Sequence, residues 1–239
     1  MRSPALTAAL ADIDTVFAGC VSPGESGCGR CHLPEEVAYL RTPDVSVPVD
    51  VVEMFMREVS DHFDDNAAAM RRLLPPAARA LADGAFDRLG WEAQGLHQVD
   101  WRSWPAEQAS AVENFVFAWW QETLATPEPP YPVADVFETC TGILSTMTPL
   151  LDRWPSAPVA DAHLVSCADS WLYDLQCDDW PFSWWHADQD AGVAELQAWF
   201  ARHAAPRLRA RGEHDLAKRA ELVGLPDPLR WDDPYWASA

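Results

Sequence analysis

Apolar residues recur along most of this chain at intervals of three and four, the period of an α-helix with one buried face. Residues 4 to 18 read as an amphipathic helix. Ser3 is its N-cap and Pro4 its first residue, where a missing N–H costs nothing. From Val49, the residues Val52, Met56, Val59 and Phe63 share a face, with Asp50, Glu53, Glu58 and Asp61 mostly opposite. Pro75 and Pro76 punctuate a second stretch, which Asp83-Gly84 ends. Trp104-Pro105 opens a helix running to about Leu124, with Ala109, Val112, Val116, Trp119 and Trp120 inward. Val133, Val136, Phe137, Cys140, Ile143, Leu144 and Met147 then follow the helical rule unbroken. Leu164, Ala168, Trp171, Leu172 and Leu175 mark a long helix. Another begins near Asp190 and stops before Pro206. Arg207 to Leu222 forms one or two more, and Pro226 to Ala239 reads as irregular.

The nearest approach to a strand is Val45-Ser46-Val47-Pro48, and its proline demotes it. The prediction is therefore all-α: an irregular multi-helix bundle or short array of helical hairpins, with a zinc-knuckle-like N-terminal loop. Helix lengths vary and no consensus recurs at a fixed period, which argues against a repeat solenoid. A single helical domain over 1–239 is expected. A subdomain boundary is placed at 126–132, where Thr126-Pro127-Glu128-Pro129-Pro130-Tyr131-Pro132 can be neither helix nor central strand.

Composition narrows the function. With 239 residues, 49% of them hydrophobic, the chain can bury a sizeable core. It carries 17 basic against 37 acidic residues, a formal charge of -20. Duplex nucleic acid is bound largely through lysine and arginine on phosphates, so no nucleic-acid partner is expected. Anionic membranes repel the same charge. The surface favours a basic protein partner. Arg202, Arg207, Arg209, Arg211, Lys218 and Arg219 crowd one stretch, read as a solvated face pairing with the protein's own acids. No segment reaches the roughly 18 apolar residues of a membrane span. Asp12 and Asp14 interrupt what would otherwise resemble a signal peptide, so a cytoplasmic location is expected. In a reducing compartment six cysteines are thiols or metal ligands rather than disulfides.

The chemically pointed segment is Cys20-Val21-Ser22-Pro23-Gly24-Glu25-Ser26-Gly27-Cys28-Gly29-Arg30-Cys31-His32. The two-residue gap between Cys28 and Cys31 lets both sulfurs face one point while the intervening N–H groups turn toward them. Gly27 and Gly29 supply backbone freedom. A structural zinc ion takes four N or S ligands. Cys20, Cys28 and Cys31 supply three, and His32 is the nearest fourth, with His62 or another distant side chain as rivals. Cys28-Gly29-Arg30-Cys31-His32 also fits haem attachment, which needs export. A redox dithiol normally opens a helix beside a strand, and neither flank offers one. Unligated thiols are usually buried, unlike three cysteines clustered beside glycines.

Elsewhere the chemistry is weaker. Cys140 sits at a core position. His163 and Cys167, four apart, read as core residues before metal ligands. Glu58 and His62 have the wrong gap for a di-iron Glu-x-x-His motif. Thirteen tryptophans include the patch Trp180, Phe182, Trp184, Trp185 and His186, and a terminal cluster of Trp231, Asp232, Asp233, Tyr235 and Trp236. Such clusters either close the core or hold a cationic group. Phosphate-loop, dinucleotide and hydrolase motifs are absent from the sequence.

Two segments carry a resemblance: Cys28 to Cys31, and Trp101-Arg102-Ser103-Trp104-Pro105 leading to Trp119-Trp120. The first half of the chain resembles a family of uncharacterised bacterial proteins with an N-terminal Cys-x-x-Cys and a Trp-Arg-x-Trp-Pro segment opening a tryptophan-rich helix. The resemblance implies no activity. It does not require a histidine after the second cysteine, which weighs against haem, and Cys20 lies outside its pattern. The expectation is a non-enzymatic interaction or scaffold protein in which zinc clasps the N-terminal loop to the bundle. The alternative is a metal-dependent or thiol-based enzyme or redox sensor.

Overall fold

The computed structural model describes residues 2–89, 94–183 and 188–237. Helices make up the fold, and no strand occurs among the described residues. The chain forms two compact units, Met1–Ser145 and Thr146–Ala239.

The first unit contains α1 (Pro4–Val16), α2 (Pro34–Arg41), α3 (Val49–Met56), α4 (Asn66–Asp83), α5 (Gln94–His97), α6 (Ala106–Ala125) and α7 (Val133–Leu144). Ser3 caps α1 by accepting a hydrogen bond from the Leu6 N–H at 3.2 Å. The α1 helix buries Leu6, Leu10 and Ile13 and lies against α6 and α4. The α6 helix buries Val112, Phe115, Val116, Trp119 and Trp120, and α7 packs against it. The Trp-Arg-x-Trp-Pro segment forms the corner before α6. Trp101 Nε1 donates to the Ile143 carbonyl at 2.9 Å and Arg102 to the Leu144 carbonyl, so this corner satisfies the open end of α7.

Three expectations are corrected here. Pro75 and Pro76 lie inside α4 rather than dividing it. The lost N–H groups are offset by the broad buried face of the helix, formed by Leu73, Leu74, Ala77, Ala78 and Leu81. The proline-rich run 126–132 is not the boundary, which falls after Ser145. It is anchored to the end of α4: Tyr131 Oη accepts from the Phe86 N–H at 2.9 Å, and a Cβ on Gly84 (φ +68°) would meet Pro130 at 2.4 Å. Finally, the helix from Val49 stops at Met56, and a 3-10 turn at Ser60–His62 replaces its expected continuation.

The second unit contains α8 (Thr148–Leu151), α9 (Pro158–Gln176), α10 (Gln189–Trp199), α11 (Ala205–Ala210), α12 (His214–Leu222) and α13 (Asp227–Trp231). Its core is an aromatic stack in which Trp171 meets Phe182, Phe200 and Trp154 at 5.2, 6.1 and 6.4 Å, and Trp154 meets Trp199 at 5.5 Å. Helix α10 was expected to stop before Pro206. Instead the chain passes through a π-helical turn, Phe200–Ala204, into α11. Pro206 has no N–H for the carbonyl four residues back, and the wider turn accommodates its ring. The tail, expected to be irregular, includes α13 and a 3-10 turn at Pro234–Ala237. Of the basic stretch, Arg207 pairs with Asp161, Arg209 with Glu221 and Lys218 with Asp233. Trp180 and Phe182 pack edge-to-face at 5.0 Å. Trp184, Trp185 and His186 lie outside the described residues.

Candidate metal centre

The cysteine loop leaves α1 at Phe17 and is fastened at Glu25, whose side chain is buried although it is charged. One carboxylate oxygen accepts from the Asp64 N–H at 2.9 Å and the Gly27 N–H at 3.1 Å. The other accepts longer bonds, from the Ser22 hydroxyl at 3.3 Å and the Asp65 N–H at 3.4 Å. Asp64 returns the contact, accepting from the Ser26 N–H at 2.7 Å and the Ser26 hydroxyl at 2.5 Å. Those bonds hold the Asp64 carboxyl below its usual range. The loop is thus stapled to the segment just after His62.

Gly27 follows the staple. Its φ is +67°, and a Cβ there would meet Val37 Cγ2 at 2.6 Å and His32 Nδ1 at 3.1 Å. Only glycine fits both the conformation and the space. Gly29 has neither constraint. The chain then turns tightly, with the Cys31 and His32 N–H groups both donating to the Cys28 carbonyl at 3.0 Å. The two sulfurs stand 3.4 Å apart. The N–H of Arg30 lowers the Cys28 thiol pKa, helped by the Cys31 thiol and the Cys31 N–H. The Cys31 thiol is raised, first because it donates to Cys28 and then by burial.

A ring nitrogen of His62 completes a group with these sulfurs, all three ligand atoms lying within 4.8 Å of one another. Two sulfurs on one zinc ion at a tetrahedral angle stand about 3.7 Å apart, given a Zn–S distance of about 2.3 Å. The observed 3.4 Å needs only a small side-chain adjustment. Cys31 is exposed, and Cys28 and His62 are half-buried. Cys28, Cys31 and His62 can therefore hold a metal ion.

The other two candidates lie elsewhere in the network. His32 is buried with both ring nitrogens engaged. Nδ1 accepts from the Cys28 N–H at 3.1 Å, and Nε2 faces Glu58 Oε2 at 2.9 Å. A neutral imidazole has one lone pair, and here the Cys28 N–H takes it. His32 shapes the loop from behind, packed against Phe55 and Phe63 with centroids at 4.9 and 6.2 Å. Cys20 is not in the group either. Its thiol is raised by burial, and the charges acting on it are Arg71 and Arg72 on α4. Between Cys20 and Cys28 the Glu25 staple carries the chain toward residues 62–65.

Glu58, which the sequence offers only as a polar-face residue and a poor di-iron match, takes a different place here. Its carboxylate spans both histidines, with Oε2 at His32 and Oε1 2.7 Å from His62 Nδ1. The second contact is close but not aligned as a hydrogen bond. No sequence pattern announces this bridge, because it depends on α3 ending at Met56.

His163 and Cys167 are buried on α9 and Cys140 on α7. Burial pushes the Cys140 thiol far above its ordinary value, as for an inert core cysteine. No helix among the described residues is long and apolar enough to cross a membrane. A comparison with family models finds no match, and comparisons with curated proteins and with solved structures find none either.

Proposed function

We propose that this chain is a zinc-stabilised helical interaction or scaffold protein of the cytoplasm, its N-terminal loop clasped by zinc on Cys28, Cys31 and His62. The convergence of two thiols and an imidazole within 4.8 Å carries the reading. Two thiolates and a histidine suit zinc's borderline-soft preference. With Nδ1 of His62 2.7 Å from Glu58, Nε2 is the nitrogen left for the ion, and the nearby carboxylate favours the tautomer that keeps the proton on Nδ1. An interaction role is supported by apolar side chains flanking the cluster in sequence: Leu33 is 55% exposed and Val59 37%. The charge of -20 favours a basic partner.

Metal analysis of protein purified without added zinc is the direct test. One zinc per chain is expected, and it should be lost in Cys28→Ser and His62→Ala. Full-length protein without stoichiometric metal, or full zinc in His62→Ala, overturns the reading.

One observation favours the alternative of a metal-dependent enzyme. Among the described residues the group supplies three protein ligands rather than four, which leaves a coordination position open, as catalytic zinc sites do. Cobalt-substituted protein separates the two. A visible spectrum that shifts with added azide or thiol indicates an open position, and an unresponsive one a closed clasp.

A further inference from the structure

In the second unit, two adjoining cavities of about 300 and 220 Å³ share Leu151, Asp152, Trp199 and His203. Their apolar wall is preformed. The Trp199 indole is fixed by Trp154 at 5.5 Å and Phe200 at 5.5 Å, so it presents a rigid edge of the aromatic stack. The polar wall comes from the π-helical turn. Arg202 and His203 lie on that turn, and the His203 ring stands 6.4 Å from Trp199. Such turns recur at functional sites.

The groove is lined by charges of both signs. Arg207, Arg209 and Lys218 each pair with an acid of the protein. Among the described residues, Arg202 has no such partner, and neither has the Asp152 carboxylate. Glu195, on the same wall, accepts from the Thr148 hydroxyl at 2.6 Å. The groove thus presents the Trp199 indole together with an exposed, unpaired cation and an exposed, unpaired anion. A bare anion would meet Asp152 and Glu195 in a chain of net charge -20, and a bare cation would meet Arg202. The volume is at the small end for ligand sites.

We propose that this groove binds a small zwitterion with a flat apolar body, the chemistry of a free aromatic amino acid. Its carboxylate lies toward Arg202 and His203, its ammonium toward Asp152, and its ring against Trp199. The proposal is independent of the metal reading.

Calorimetry on the full chain tests it with L-phenylalanine, phenethylamine, which lacks the carboxylate, and 3-phenylpropanoate, which lacks the ammonium. L-phenylalanine should bind, and each analogue should bind roughly tenfold more weakly, the loss of one charge-assisted contact. Arg202→Ala should weaken L-phenylalanine roughly tenfold and leave phenethylamine unchanged, with Asp152→Asn showing the mirror pattern. Arg209→Ala, outside the groove, should keep the parent affinity. The proposal is overturned if none of the three compounds binds at millimolar concentration, if the analogues match L-phenylalanine, or if Arg202→Ala and Asp152→Asn leave its affinity unchanged.

Discussion

Replacing Glu25 by alanine removes the carboxylate that fastens the cysteine loop. Glu25 is 1% exposed and accepts two short and two long hydrogen bonds. A hydrogen bond to a charged group contributes about 1.5–3 kcal/mol net, so the two short bonds carry roughly 3–6 kcal/mol, and the long ones little. Asp64 is exposed, so its N–H regains water in the variant. The lower end applies, about 3 kcal/mol. A chain of this size loses about 2–4 °C per kcal/mol, so the Tm should fall by roughly 6–12 °C where loop and core unfold together. Where the loop opens alone, the same energy appears as fast amide exchange at 27–32. Zinc affinity should then fall about a hundredfold, since binding must first close the loop. Thermal melts, hydrogen exchange and chelator competition read these three quantities. Glu25→Gln should recover less than half the loss, because its amide turns a donor onto a backbone N–H. Unchanged stability, exchange and metal affinity in Glu25→Ala would show that the staple does not hold the loop.

Other outcomes follow from the same geometry. His62→Ala should lose zinc while keeping its helical circular dichroism. His32→Ala should instead lower the unfolding free energy by about 2–4 kcal/mol through lost packing and hydrogen bonds, and equal zinc loss with unchanged stability in both variants would refute the division of labour. Gly27→Ala, forced to a positive φ against Val37, should cost about 2 kcal/mol or more in a urea melt, and a neutral result would mean the turn relaxes freely. Burial pushes the Asp178 carboxyl up, but bonds from Arg230 and Gln197 and the charge of Arg230 outweigh it, and the net shift is downward. A depressed carboxyl stabilises fully above its unfolded value, near pH 4, and that stability is lost as pH falls through the folded value. Asp178→Asn should therefore flatten the acid limb of the stability curve, and an unchanged limb would exclude the pair as its source.

The helices were legible because their signals are local. Ser3 and Pro4 begin α1 as the capping rules require, and Val112, Val116, Trp119 and Trp120 of the stripe read for α6 are buried, with Phe115 in place of the half-buried Ala109. The misreadings concentrate at proline. Pro75, Pro76 and Pro206 signal helix ends through a local penalty, yet each lies inside helical structure. The compensation is tertiary, the burial of α4 and the π-helical turn before Pro206, and neither can be seen in a window of neighbouring residues. The proline-rich run failed as a boundary for the same reason: Tyr131 ties it to Phe86, 45 positions back.

The site shows how far spacing alone carries. The two-residue gap between Cys28 and Cys31 brings their sulfurs together because a single turn, closed on the Cys28 carbonyl, does so without outside help. The histidine could not be chosen that way. His32 is adjacent to Cys31 and was the nearest fourth ligand by sequence, but the turn that aims the thiols outward drives its ring inward onto Phe55, where the Cys28 N–H occupies its lone pair. His62, 31 positions beyond Cys31, is brought to the sulfurs by two long-range choices: the end of α3 at Met56 and the grip of Glu25 on Asp64 and Asp65. Glu58 links the outcomes, holding the buried histidine with one oxygen and standing beside the one grouped with the thiols with the other. Which histidine stands beside the two thiols is therefore decided by where a carboxylate and a helix end fall. A Glu58→Gln variant should show it as weaker zinc binding, about 10–100-fold by chelator competition, with Cys28, Cys31 and His62 all intact.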